Sequence, residues 1–167
     1  MPDASSRVCI CNTSPLFYLH QIGQLSLLRQ LYGRVLTTTE VADELNAGAN
    51  VGEDVPNLRE HPWIEVSPIK IPSYLDLIAD LGKGEASVLA LGLEHERRSL
   101  LVIDDKLGRR IARLRNLTVT GTAGVLLKGK QAGRIPMLRP VLDELAVKGF
   151  RLHSQVVTDL LAIAGEK

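Results

Sequence analysis

Aromatic residues make up only 4% of this 167-residue chain. So few rings leave no stacking platform for single-stranded nucleic acid, which needs several exposed aromatics. Charge of one sign is missing too: 20 Lys and Arg stand against 19 Asp and Glu, a formal net charge of +1. No global basic field announces a polyanionic partner. Such a partner has to be held by a local patch or through a metal. Cysteine is confined to Cys9 and Cys11. Two residues apart, they share one face of a strand. They cannot staple a domain, and no second pair exists for a zinc site. They read as small buried residues in a reducing compartment. No run of about 18 apolar residues is present, which speaks against a membrane span. The opening "MPDASSR" lacks the pattern of a signal peptide, so a cytoplasmic protein is expected. No strand is followed by a GxGxxG or GxxxxGK[ST] loop, which disfavours a nucleotide-binding module.

What is there suits a packed α/β unit. Apolar residues form 45% and charged residues 23% of the chain, enough to bury a core. The length is that of one ordinary domain, expected to span residues 1–167. Strand-like runs ("RVCICN", "RVLT", "HPWIEVSPI", "SLLVID", "LTVTG") alternate with helical ones. Gly23 and Gly33 suit left-handed helix ends, Thr37 and Glu40 have capping-box spacing, and Gly48 reads as the stop of that helix. "SLLVID" is nearly continuously apolar, the mark of a strand covered on both faces. The alternation predicts a parallel sheet with helices on both sides. "NAGANVGEDVPNLREHP" is the one long polar loop; of a mobile edge of a site and a plain connection, the second reading is preferred.

In such a sheet, ligands bind beyond the carboxyl ends of the strands. Two strands end in polar residues suited to that place: the first at Asn12, the "SLLVID" strand at Asp104-Asp105. An aspartate there also caps a following helix well, which accounts for one of the pair more easily than for both. Glu85 opens a helix directly after "GKG", and Glu44 lies four residues after Glu40 on one helix face. Three or four carboxylates and an amide around one crevice form a hard oxygen donor set suited to Mg²⁺ or Mn²⁺. Acid-only sites of this kind mostly serve phosphodiester hydrolysis.

"NTSPL", "EVADEL", "GKGEASVLALGL", "LLVIDDKLGRRIA" and "VTGTAGVLLKGKQAG" occur in the order and spacing of PIN-domain proteins. The chain most resembles a prokaryotic subgroup related to the VapC-type toxin nucleases, over nearly its whole length from Val8. The resemblance implies a three-layer α/β/α sandwich around a mostly parallel sheet and a Mg²⁺- or Mn²⁺-dependent ribonuclease. It implies catalytic roles for Asn12, Glu44, Glu85 and Asp105, and metal binding by Glu44, Glu85, Asp104 and Asp105. Thr120 or Thr122 falls where members place a small hydroxyl near the site. Toxins of this type form homodimers and are neutralised by a small antitoxin. Most active members carry aspartate where this chain has Asn12. An amide offers a carbonyl oxygen but neither charge nor basicity. A PIN fold that binds RNA or protein without cutting is therefore the alternative reading.

Basic residues complete the picture. Arg109 and Arg113 share a helix face with Arg110 beside them, and "KGKQAGR" adds Lys128 and Lys130. Arg109 and Arg110 follow the aspartate pair by about one turn, so they are expected to flank the crevice and hold phosphates.

Overall fold

The computed structural model describes residues 7–166; residues 1–6, with most of "MPDASSR", and Lys167 lie outside the described residues. The elements run β1 (Val8–Cys11), α1 (Thr13–Gln21), α2 (Ser26–Tyr32), β2 (Val35–Thr38), α3 (Thr39–Asn50), β3 (Ile64–Ser67), α4 (Ser73–Asp76) and α5 (Lys83–His95). There follow β4 (Ser99–Val102), α6 (Lys106–Leu114), β5 (Thr118–Thr120), α7 (Thr122–Gln131), α8 (Leu138–Val147) and α9 (Ser154–Ile163). The five strands form one sheet in the order β3-β2-β1-β4-β5, with every pairing parallel. Parallel neighbours need crossover connections, and the intervening helices supply them.

Helices cover both faces, giving the three-layer α/β/α arrangement. Helices α5 and α2 both pack on β1 and β2; α5 continues onto β4 and α6, while α2 meets α7. Strands β1 and β2 are buried along their full length, and β4 nearly so. The edge strands β3 and β5 are partly exposed, as expected where a strand has one neighbour. Cys9 and Cys11 are fully buried and free, their sulfurs 3.7 Å apart. The neighbouring Cys9 thiol, together with burial, pushes the Cys11 thiol well above its ordinary range, so it stays protonated and inert.

Three local expectations are corrected. Helix α3 is capped by Thr38, whose hydroxyl accepts from Val41 N at 3.2 Å. Thr37 instead ends inside β2, where its hydroxyl donates to Cys11 O at 2.7 Å. The helix does not stop at Gly48 but runs to Asn50. The helix expected over "SYLDLIADL" is only Ser73–Asp76. Gly23 and Gly33 do adopt positive φ, at 68° and 74°.

Candidate active site

Strand order reverses between β1 and β4: from β1 the chain builds outward to β2 and β3, from β4 to β5 on the other side. Ligands in such folds bind at the carboxyl ends of strands near that reversal, and Asn12 stands at the tip of β1 beside it. Its backbone N–H extends the β1–β4 ladder to Val102 O at 3.0 Å. It occupies the N-cap position of α1 in extended conformation, yet its side chain makes no capping hydrogen bond. Asn12 is 2% exposed, and its Oδ1 has no hydrogen-bond partner among the described residues. A buried polar atom without a partner is costly and uncommon in a native fold.

Glu44 and Glu85 face the same space, and Glu53 joins them from a loop. Asn12, Glu44 and Glu85 line one cleft of about 270 Å³ together with Thr13, Ser14, Phe17, Glu53 and Val55. The two glycines of "GKGE" explain how these acids fit. A Cβ on Gly84 would lie 2.7 and 2.8 Å from the two Glu44 carboxylate oxygens, and one on Gly82 would lie 2.5 Å from Glu85 Oε2. Each glycine thus leaves the volume that one carboxylate fills. Glu44 is held from both sides, accepting from Gly84 N at 3.2 Å and from the Thr13 hydroxyl.

The aspartate pair divides its work. Asp104 is a hub between helices: Oδ2 accepts from Ser14 Oγ at 2.8 Å and Thr122 Oγ1 at 2.7 Å, while Oδ1 accepts from Thr122 N at 2.7 Å. It therefore ties the first turns of α1 and α7 to the end of β4, and Thr122 is the small hydroxyl residue beside it. Asp105 caps α6, its Oδ2 accepting from Gly108 N at 2.8 Å. Neither side chain lines the cleft shared by Asn12, Glu44 and Glu85. Asp105 is nonetheless next to Glu85: a Cβ on Gly108 would touch both Asp105 Oδ2 and Glu85 Cγ, at 3.6 and 3.7 Å. Among the described residues, no three His, Cys, Asp or Glu side chains converge in the geometry of a metal centre.

The basic residues are spread more widely. Arg109 Nη1 and Asp104 Oδ1 both crowd Gly121, at 3.1 and 2.8 Å from where its Cβ would be, so Arg109 flanks the crevice. Arg110 and Arg113 are exposed on the same helix. Lys128 and Lys130 sit in the last turn of α7, roughly 9 and 12 Å along the axis from Thr122. Lys130 is committed within the fold, donating to Pro136 O at 2.6 Å and pairing with Glu166 at 3.5 Å.

Sequence reading missed the hydroxyls of Thr13 and Ser14, although both directly follow the strand tip. Glu53 and Val55 escape it too: a polar loop is compatible with a site edge or a plain connection, and no periodicity marks which of its residues turn inward.

Residues 8–166 match the sequence profile of a family described as a PIN domain, DUF3368. The chain belongs to the PIN-domain family. PIN domains are typically nucleases that bind RNA and generally use divalent metal ions. No curated protein matches the chain significantly. Among the described residues, no helix is long and apolar enough to cross a membrane.

The residues of this PIN domain suit a hard divalent cation. The cleft is lined by three carboxylates, Glu44, Glu53 and Glu85, and by Asn12, whose buried amide oxygen has no partner among the described residues; all of these are oxygen donors. Mg²⁺ is commonly held by one or two carboxylates while it keeps several waters, so a site of this kind does not require three converging acids.

Proposed function

We propose that this PIN domain is a metal-dependent endoribonuclease that hydrolyses RNA phosphodiester bonds with Mg²⁺ or Mn²⁺. The carrying observation is that Asn12, Glu44 and Glu85 line one cleft at the point where the strand order reverses, with the amide oxygen of Asn12 buried and unpartnered. A bound divalent cation supplies charge neutralisation at the phosphate and acidifies water. Glu44, fixed by Thr13 and Gly84, would hold the cation. Glu85, in the first turn of α5, would accept a proton from the attacking water. Asp105 adds negative charge next to Glu85. Asp104 positions the helix starts that carry Ser14 and Thr122. Arg109 and Arg110 hold the phosphate backbone. Water attacks phosphorus and gives up a proton to Glu85, the ester P–O bond breaks, and the departing oxygen takes up a proton from bulk water.

The test is RNA cleavage in Mn²⁺ by Glu44→Gln and Glu85→Gln, which remove charge and keep shape. Each should lose about 10²-fold or more in rate. Variants that cut as well as the parent would show the assignment to be wrong. Asp105→Asn is informative beside them, since asparagine caps a helix about as well as aspartate and only the charge is lost.

One observation favours a second reading. Asn12 brings no negative charge to the centre of the site, which suits a module that binds RNA without cutting it. RNA binding that persists in a chelator, with no cleavage in any divalent cation, would select that reading. The likeness to toxin nucleases extends the first reading to a growth-restraining enzyme, a homodimer neutralised by a small antitoxin. Growth arrest on expression, abolished by Glu44→Gln, is its check.

A further inference from the structure

The cleft holds a carboxylate that the strand and helix motifs do not account for. Glu53 comes from the loop after α3, yet it lines the same space as Asn12, Glu44 and Glu85. Its placement is built in from two sides. On α3, Glu53 N donates to Gly48 O at 3.0 Å, and a Cβ on Gly48 would stand only 3.1 Å from Glu53 Oε2 and 3.2 Å from Val55 Cγ1. On α1, the adjacent Asp54 pairs with His20 Nε2 at 2.9 Å, and its carbonyl accepts from Gln21 Nε2 at 2.8 Å. The loop is thereby strapped between the two helices that wall the cleft. The Glu53 carboxylate itself makes no hydrogen bond or ion pair with a described residue. An independent observation marks the same space as a ligand site: the Asn12 side chain lines it, 2% exposed, with Oδ1 unpartnered.

We propose that Glu53 is the third carboxylate of the divalent-cation site, supplying from the loop after α3 the negative charge that Asn12 withholds at the tip of β1. The proposal rests on the metal-dependent reading of the cleft. No three acids converge to ligating distance among the described residues, so Glu53 acts across the water shell that a small divalent cation retains. At that range a unit charge still changes affinity measurably in a partly enclosed cleft.

The experiment is Mn²⁺ binding to the full chain, read by electron paramagnetic resonance of free Mn²⁺ and by titration calorimetry, without RNA. Glu53→Gln should weaken binding by about tenfold. Asn12→Asp should tighten it, and the double variant should return close to the parent, because charge lost on the loop is restored on the strand. Gly48→Ala, which displaces Glu53 without altering charge, should weaken binding in the same direction. Unchanged affinity in Glu53→Gln, with Glu44→Gln clearly weakened, overturns the role of Glu53 and leaves the metal-dependent reading intact. Unchanged affinity in both overturns that reading as well. A double variant as weak as Glu53→Gln alone shows that the loop acts through structure rather than charge, and the proposal fails. Glu53 is exposed, so its amide variant is expected to fold; near-ultraviolet circular dichroism checks this.

Discussion

The Glu44 carboxylate rests on the backbone of Gly84, whose N–H donates to Oε1 at 3.2 Å. Helix α3 and the start of α5 are joined through this contact, and any side chain at Gly84 would occupy the space the carboxylate fills. Gly84→Ala is expected to push Glu44 off its seat. Overpacking of this kind costs about 1–3 kcal/mol, readable as a shift of the urea midpoint. Mn²⁺ affinity should fall together with it. Parent-like affinity in the alanine variant would show that the seat is not needed.

Asp104 gathers three hydrogen bonds from α1 and α7. Hydrogen bonds to a charged group are worth about 1.5–3 kcal/mol each, less when they share partners. Asp104→Ala should therefore destabilise the fold by roughly 2–4 kcal/mol, measured by chemical denaturation. Ser14→Ala and Thr122→Ala should cost less, and each should cost almost nothing in the Asp104→Ala background. Strict additivity would argue against a shared hub.

Glu166 accepts from Leu138 N at 2.6 Å and Arg139 N at 3.0 Å, capping α8 from the end of the chain. These backbone N–H groups hold its carboxyl below the ordinary value of 4.5. A lowered folded pKa means that the carboxylate contributes stability above the unfolded value, and that this contribution is lost as pH falls through the folded value. Denaturation midpoints compared at neutral pH and below 4.5 should thus fall less in Glu166→Gln than in the parent. Equal acid sensitivity in the two proteins would contradict the capping role.

Arg109 is the basic residue that the fold brings beside the Asp104 carboxylate. RNA affinity should weaken steeply with salt. Arg109→Ala should reduce the slope of log affinity against log salt by about 0.7, the value for one phosphate contact on a single strand. Lys130→Ala should leave the slope unchanged, since that ammonium is tied to Pro136 and Glu166.

Much of this architecture was legible in the chain because strand and helix periods are local properties. The apolar run ending at Ile103 and the glycine-closed helices α1 and α2 needed no tertiary information. Capping was harder. Thr37 and Thr38 are equivalent as letters, and only the register of β2 against β1 decided that Thr37 would reach Cys11 O while Thr38 capped α3. The aspartate pair was visible as a pair, but its division of labour was not. Asp104 became a hub because α1 and α7 both begin beside it, and Asp105 became a cap because α6 begins at the next residue.

That a parallel sheet carries polar residues at the carboxyl ends of β1 and β4, and that Asn12 brings no charge there, is written in the chain. Both follow from residue identity and a short-range period. Which acids share a cleft is not written there. Glu44, Glu53 and Glu85 come from a helix, a loop and the start of another helix, and they line one cleft because Gly48, Gly82 and Gly84 leave room where their carboxylates lie. Proximity of that sort is set by packing between elements distant along the chain, and no local pattern encodes it.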